Sequence, residues 1–101
     1  MIVTVFRNRL RLEHRDEYFD TAKQMAEIAR AMPGYISHKS FAAGDGERVT
    51  IVEFADETSQ KAWATETRHL AAKTRGREAF YSEYSIQICT VTRGHRWAAA
   101  D

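Results

Sequence analysis

The sequence predicts an α+β domain of order β-α-β-β-α-β, and three observations carry that prediction. Residues 2–12 alternate with a period of two, residues 13–31 switch to a helical period, and a glycine-bearing turn at 44–47 separates two further β-rich runs. Strands split around two helices in this order form a ferredoxin-like arrangement, a four-stranded antiparallel sheet with both helices on one face.

The first strand puts Ile2, Thr4, Phe6, Asn8, Leu10 and Leu12 on one side and Val3, Val5, Arg7, Arg9 and Arg11 on the other. From about Glu13 to Ala31, Tyr18, Ala22, Met25, Ala29 and Met32 recur at helical spacing, with Phe19 and Ala26 widening the stripe. Glu13, Asp16, Glu17 and Asp20 load the first turns and Arg30 the last, the polarity that the helix dipole favours. Met32-Pro33-Gly34 stops the helix, since proline breaks the hydrogen-bond ladder and glycine accepts a left-handed turn.

Tyr35 to Ala43 and Arg48 to Ala55 read as the second and third strands, joined through Gly44-Asp45-Gly46-Glu47. Asp56 is placed to cap a second helix carrying Ala62, Trp63, Glu66 and Leu70. Thr65 and Thr67 predict a break in it, with a shorter helical piece from His69 to Lys73 ending at Gly76. The last strand is expected from Phe80 to Arg93, with Tyr84, Ile86 and Ile88 on one face and Tyr81, Glu83 and Gln87 on the other. The expected domain is 1–93; the tail 94–101 reads as frayed, with Trp97 free to dock.

At 101 residues the chain makes one domain, and 44% hydrophobic with 29% charged residues is a globular mixture. Fifteen basic residues against fourteen acidic ones argue against a nucleic-acid partner. No apolar run is long enough for a membrane span and no signal-peptide pattern precedes the first strand, so the expected location is cytoplasmic. Cys89, the single cysteine, excludes an intrachain disulfide and reads as a buried thiol among Ile86, Ile88 and Val91. Val3 and Val5 lie on a sheet face that no helix covers, which predicts a homodimer through sheet faces.

Met32-Pro33-Gly34-Tyr35-Ile36, Val52-Glu53-Phe54, Ala62-Trp63 and Phe80-Tyr81-Ser82-Glu83-Tyr84, in this order and spacing, resemble the antibiotic biosynthesis monooxygenase (ABM) superfamily over residues 1–93. Within it the chain is similar to a bacterial group loosely described as polyketide-biosynthesis or monooxygenase related. The resemblance implies a dimeric α/β barrel with a pocket between sheet and helices in each subunit. For enzymatic members it implies oxygenation of a small phenolic or quinol-like aromatic substrate with no cofactor, the deprotonated substrate itself reducing O2.

Asn8 sits on an otherwise apolar face, where it reads either as a catalytic amide or as a tie between sheet and helices. Trp63 reads as core packing and as a pocket wall, which are compatible. His38 and His69 are the candidate general bases, because imidazole titrates near working pH; His14 and His95 look exposed. Phe6, Tyr35, Tyr81 and Tyr84 are candidate substrate contacts, against the alternative of filling the seam or the dimer contact. Arg77, in a basic loop, is a candidate for an anionic substrate. No metal-ligand spacing is present among the four histidines.

Asn8-Arg9-Leu10 also resembles the start of the superfamily's haem-degrading branch, which pairs an asparagine and a tryptophan with a haem-ligating histidine ten residues after the tryptophan. Lys73 occupies that position and His69 stands one turn earlier. Haem binding or breakdown is therefore the alternative function, and a non-catalytic small-molecule-binding dimer the third.

Overall fold

The computed structural model describes residues 1–100. Its elements are β1 (Ile2–Leu10), α1 (Arg15–Ala31), β2 (Tyr35–Ala42), β3 (Arg48–Phe54), α2 (Glu57–Ala64), α3 (Thr67–Arg75), a wide π-helical turn (Gly76–Phe80) and β4 (Tyr81–Thr90). The strands form one antiparallel sheet in the order β2-β3-β1-β4, the ferredoxin-like topology.

Local chemistry sets the boundaries. His14 enters the left-handed region (φ 62°) and starts α1 two residues later than the acidic run suggests. Gly34 turns the chain out of α1 at φ 80°, and its carbonyl accepts the Ala55 N–H at 2.8 Å. Asp56 caps α2 by accepting the Ser59 N–H at 2.8 Å. The expected break after α2 is complete: Thr65 Oγ1 donates back to the Lys61 carbonyl, and Glu66 caps a separate α3 by accepting the His69 N–H. Phe80 belongs to the π-helical turn rather than to the last strand, and β4 stops at Thr90. Leu12 (80% exposed) lies beyond the end of β1, and Trp97 (78% exposed) does not dock.

Register decides which side chains meet. Phe6 pairs with Thr50 on β3 and Ile86 on β4, while Val5 pairs with Ile51 and Gln87. The sheet is interrupted by two bulges. Between Tyr35 and Ser37 the pairing with β3 skips Ile36, and between Tyr81 and Glu83 the pairing with β1 skips Ser82. Each bulge resets the two-residue alternation, so Tyr35 and His38 share one face, as do Tyr81 and Tyr84. The simple alternation that set Tyr81 opposite Tyr84 is thereby corrected.

The core lies between this face and the helices in two clusters. Tyr18, Ala79 and Phe80 gather Leu10, Ala22 and Tyr81; Ala29, Phe54 and Trp63 gather Met25, Met32, Tyr35 and Val52. The opposite face has no helix over it. Val3, Val5, Val49 and Ile51 are half-buried there, and Phe41 and Cys89 are exposed, so the buried-thiol reading of Cys89 does not hold within one chain. At the hairpin end the same face carries ion pairs, Arg7 to Glu47 through two hydrogen bonds and Arg9 to Asp45 and Glu83.

Candidate active site

The two core clusters do not meet along the whole sheet. Between them lies a cavity of about 630 Å³, walled by strand residues such as Thr4, Phe6 and Val52 and by Met25, Ala26 and Trp63 from the helices. Its size and mostly apolar lining suit a small ring compound.

One end is aromatic. Phe6 meets Tyr81 and Tyr84 edge-on at centroid distances of 5.4 and 5.8 Å, and Tyr18 meets Phe80 and Tyr81 at 5.6 and 5.8 Å. Burial, reinforced by Tyr18, pushes the Tyr81 phenol well above its ordinary range and keeps it neutral. Tyr84, Ile86 and Ile88 also line the cavity, yet they remain 42–56% exposed, because no helix covers this stretch of β4.

The other end holds the titratable groups. The His69 ring stacks on the Trp63 indole at 3.9 Å and 15°, with Nδ1 2.9 Å from the Trp63 carbonyl oxygen. A carbonyl only accepts, so Nδ1 carries the proton and Nε2 of the neutral ring is left as a base. Burial lowers the His69 pKa most; Lys73 lowers it further, and the carbonyl contact opposes both. Lys73 lines the cavity with its Nζ donating to the Ala64 carbonyl at 2.8 Å, and burial lowers its pKa. Arg77 lines the wall as well.

His38 projects from β2 into the same cavity, and its Nδ1 lies 2.6 Å from the Tyr35 hydroxyl. Burial, then Arg30, lowers its pKa, so this imidazole too is held neutral.

Of the residues singled out in the sequence, the cavity wall contains Phe6, His38, Trp63, His69, Arg77, Tyr81 and Tyr84. Two are placed differently. Asn8 is 2% exposed and does not line the cavity; neither of its amide atoms has a hydrogen-bond partner among the described residues, a desolvation of about 1–3 kcal/mol. It lies in register between Arg48 and Tyr84, and the structure does not bring this candidate catalytic amide to the cavity that Trp63 lines. Tyr35 is absent from the wall and bears on it through His38. The sequence reading missed Lys73 as a wall residue and also Gln60, which is buried against the cavity.

The haem-ligating position of the resembling branch is occupied by the Lys73 ammonium, which is directed at a backbone carbonyl. Among the described residues no three His, Cys, Asp or Glu side chains converge to hold a metal ion. The residue at that branch's ligand position therefore does not fit a histidine-ligated haem; the imidazole that lines the cavity is His69, one turn earlier.

A family model described as antibiotic biosynthesis monooxygenase matches residues 1–75. The chain belongs to this family. A curated relative, the uncharacterized protein YqjZ of Bacillus subtilis (strain 168), is 30% identical over 81 residues, covering 80% of this chain and 71% of its own. Among solved structures, Rv0793 from Mycobacterium tuberculosis superposes with a TM-score of 0.81 at 14% identity, over 94% of this chain and 98% of that one. SnoaB, a cofactor-independent oxygenase from Streptomyces nogalater, superposes with a TM-score of 0.78 at 16% identity, over 92% and 94%. At these identities the structural likenesses establish the ABM fold. No helix among the described residues is long and apolar enough to cross a membrane.

Proposed function

We propose that this ABM-family protein is a cofactor-independent monooxygenase that oxidises a small phenolic or quinol-like compound with O2. The observation that carries the reading is His69: a half-buried imidazole in the wall of an apolar cavity, fixed as the Nδ1–H tautomer by a backbone carbonyl, which leaves Nε2 as its free basic nitrogen. Burial lowers its pKa and so favours the unprotonated form that a general base requires.

His69 Nε2 takes the proton of a phenolic hydroxyl. The resulting anion is electron-rich at its ring carbons and transfers an electron to O2. The two radicals combine into a carbon–peroxide bond. Where the attacked carbon is the CH2 of the substrate's keto tautomer, one of its hydrogens is the phenolic proton taken by His69; His69 returns it to the peroxide, and loss of water with the remaining C–H hydrogen leaves a carbonyl, so one oxygen enters the product and the other departs as water. The protein contributes a proton acceptor, cations at Lys73 and Arg77 that favour the anion, and an apolar enclosure. The test is oxygen uptake with a panel of hydroxylated anthrones and quinols under air. Uptake above the uncatalysed rate that His69→Gln abolishes is expected; no uptake across the panel rejects the reading. Haemin titrated in parallel should give no saturable absorbance change.

Val3, Val5, Val49, Ile51, Phe41 and Cys89 form a contiguous apolar field on the helix-free face. A second copy set face to face covers it, and its ion-paired end suits the rim of such a contact. The working species is accordingly a homodimer.

A further inference from the structure

We infer that the cavity's two imidazoles have opposite hydrogen-bonding polarity, His69 accepting and His38 donating, and that Tyr35 sets the polarity of His38. The ligand class that follows is a ring compound with a phenolic hydroxyl and a ketone or quinone oxygen at separate positions. This deepens the oxygenase reading and rests on it only in taking the cavity as the binding site.

The polarity of His38 follows from the chemistry of one contact. Tyr35 Oη lies 2.6 Å from His38 Nδ1. A phenol hydroxyl is a strong donor and a weak acceptor, whereas the unprotonated nitrogen of a neutral imidazole is the stronger acceptor of the two groups. Tyr35 therefore donates, Nδ1 accepts, and the proton of the neutral ring resides on Nε2. Tyr35 is not a wall residue and occupies the Nδ1 side, so the polar atom His38 has left for a ligand is the Nε2–H. The pairing exists because of the bulge at Ile36, which brings residues three apart onto one face. Phe54 holds the Tyr35 ring edge-on at 6.0 Å within the cluster that contains Trp63. Val52 of that cluster is the cross-strand partner of His38, so both imidazoles belong to the same end of the cavity.

At His69 the arrangement is reversed: a backbone acceptor holds Nδ1–H, and Nε2 accepts. A phenol meets His69. A carbonyl oxygen conjugated with it meets the His38 N–H, which gains strength as deprotonation shifts negative charge onto that oxygen. A compound with the hydroxyl alone leaves the His38 donor unpaired, and one with the carbonyl alone leaves the His69 acceptor unpaired. His38 touches the ligand; Tyr35 is a positioning residue.

Nitrogen NMR of the histidine rings in the ligand-free protein tests the polarity directly. A protonated Nε2 at His38 with a protonated Nδ1 at His69 is expected; the same tautomer at both overturns the inference. Calorimetric titration without oxygen tests the ligand class with three compounds of one skeleton: a hydroxytetralone with phenol and ketone at opposite ends, tetralone, and tetrahydronaphthol. The bifunctional compound should bind about tenfold more tightly than either fragment. Tyr35→Phe should weaken the two ketones several-fold, leave tetrahydronaphthol unchanged, and add nothing in a His38→Phe background. Equal weakening of all three, or no preference for the bifunctional compound, overturns the proposal. Opposite tautomers and ketone selectivity in a protein that shows no oxygen uptake would remove the oxygenase reading and leave this one standing.

Discussion

Trp63 holds His69 twice, once with its indole face and once with its backbone carbonyl. The two contacts separate under mutation, because only the first depends on the side chain.

Trp63→Phe keeps the carbonyl and reduces the stacking surface. It should lower stability by about 1–3 kcal/mol in chemical denaturation, since Trp63 is one of three buried residues in its cluster. The His69 tautomer should persist in the nitrogen spectrum while oxygen uptake falls. A change of tautomer would show that the indole, not the carbonyl, fixes the ring.

The pH dependence has a definite sign. Both His69 and His38 have pKa values lowered from 6.5 by burial, so between their folded values and 6.5 the unfolded chain binds more protons than the folded one. Their contribution to stability is complete above about pH 6.5 and declines as the pH falls below it. Denaturation midpoints measured from pH 8 down to pH 5 should drop below about 6.5, and His69→Gln should flatten part of that drop. A midpoint that rises on acidification through this window would contradict the half-buried, neutral assignment.

Two glycines separate backbone need from accident. A Cβ on Gly34, already at φ 80°, would stand 2.1 Å from Ser59 Oγ, whereas one on Gly44 would meet nothing within 4 Å. Gly34→Ala should cost about 1–3 kcal/mol or more and Gly44→Ala under about 0.5 kcal/mol, read from thermal and chemical melts. Equal effects would mean that Ser59 moves aside freely.

Val5 sits on the uncovered face between Ile51 and Gln87. Val5→Glu would set a carboxylate in the proposed contact and should convert a dimer into monomers in light scattering, while Cys89 becomes faster to label with a thiol reagent. A wild-type protein that scatters as a monomer at micromolar concentration would reject face-to-face pairing.

Much of the fold was legible because periodicity is a strong signal. The alternation at 2–10, the Met32-Pro33-Gly34 stop and the Asp56 cap all correspond to observed boundaries. The bulges were not legible, since nothing in the identities of Ile36 or Ser82 marks a residue that will be looped out of a ladder. Unbroken alternation consequently set Tyr81 opposite Tyr84. The site was legible by residue type, through aromatics and histidines, but not by polarity: the tautomers depend on a carbonyl at Trp63 and a hydroxyl at Tyr35. Asn8 shows the converse case. Its position on the apolar face could be read, but whether its amide reached the cavity depended on packing beyond the strand.

Ile36 and Ser82 work as single-residue spacers. Deleting either would restore strict alternation through its strand, turning Tyr35 or Tyr81 away from the helix-covered face toward the proposed dimer contact. Loss of Ile36 would separate the phenol from the imidazole it orients; loss of Ser82 would take one ring from the aromatic end. A relative with a one-residue gap at either place could therefore share every chemical group of this protein while arranging a different set around its ligand.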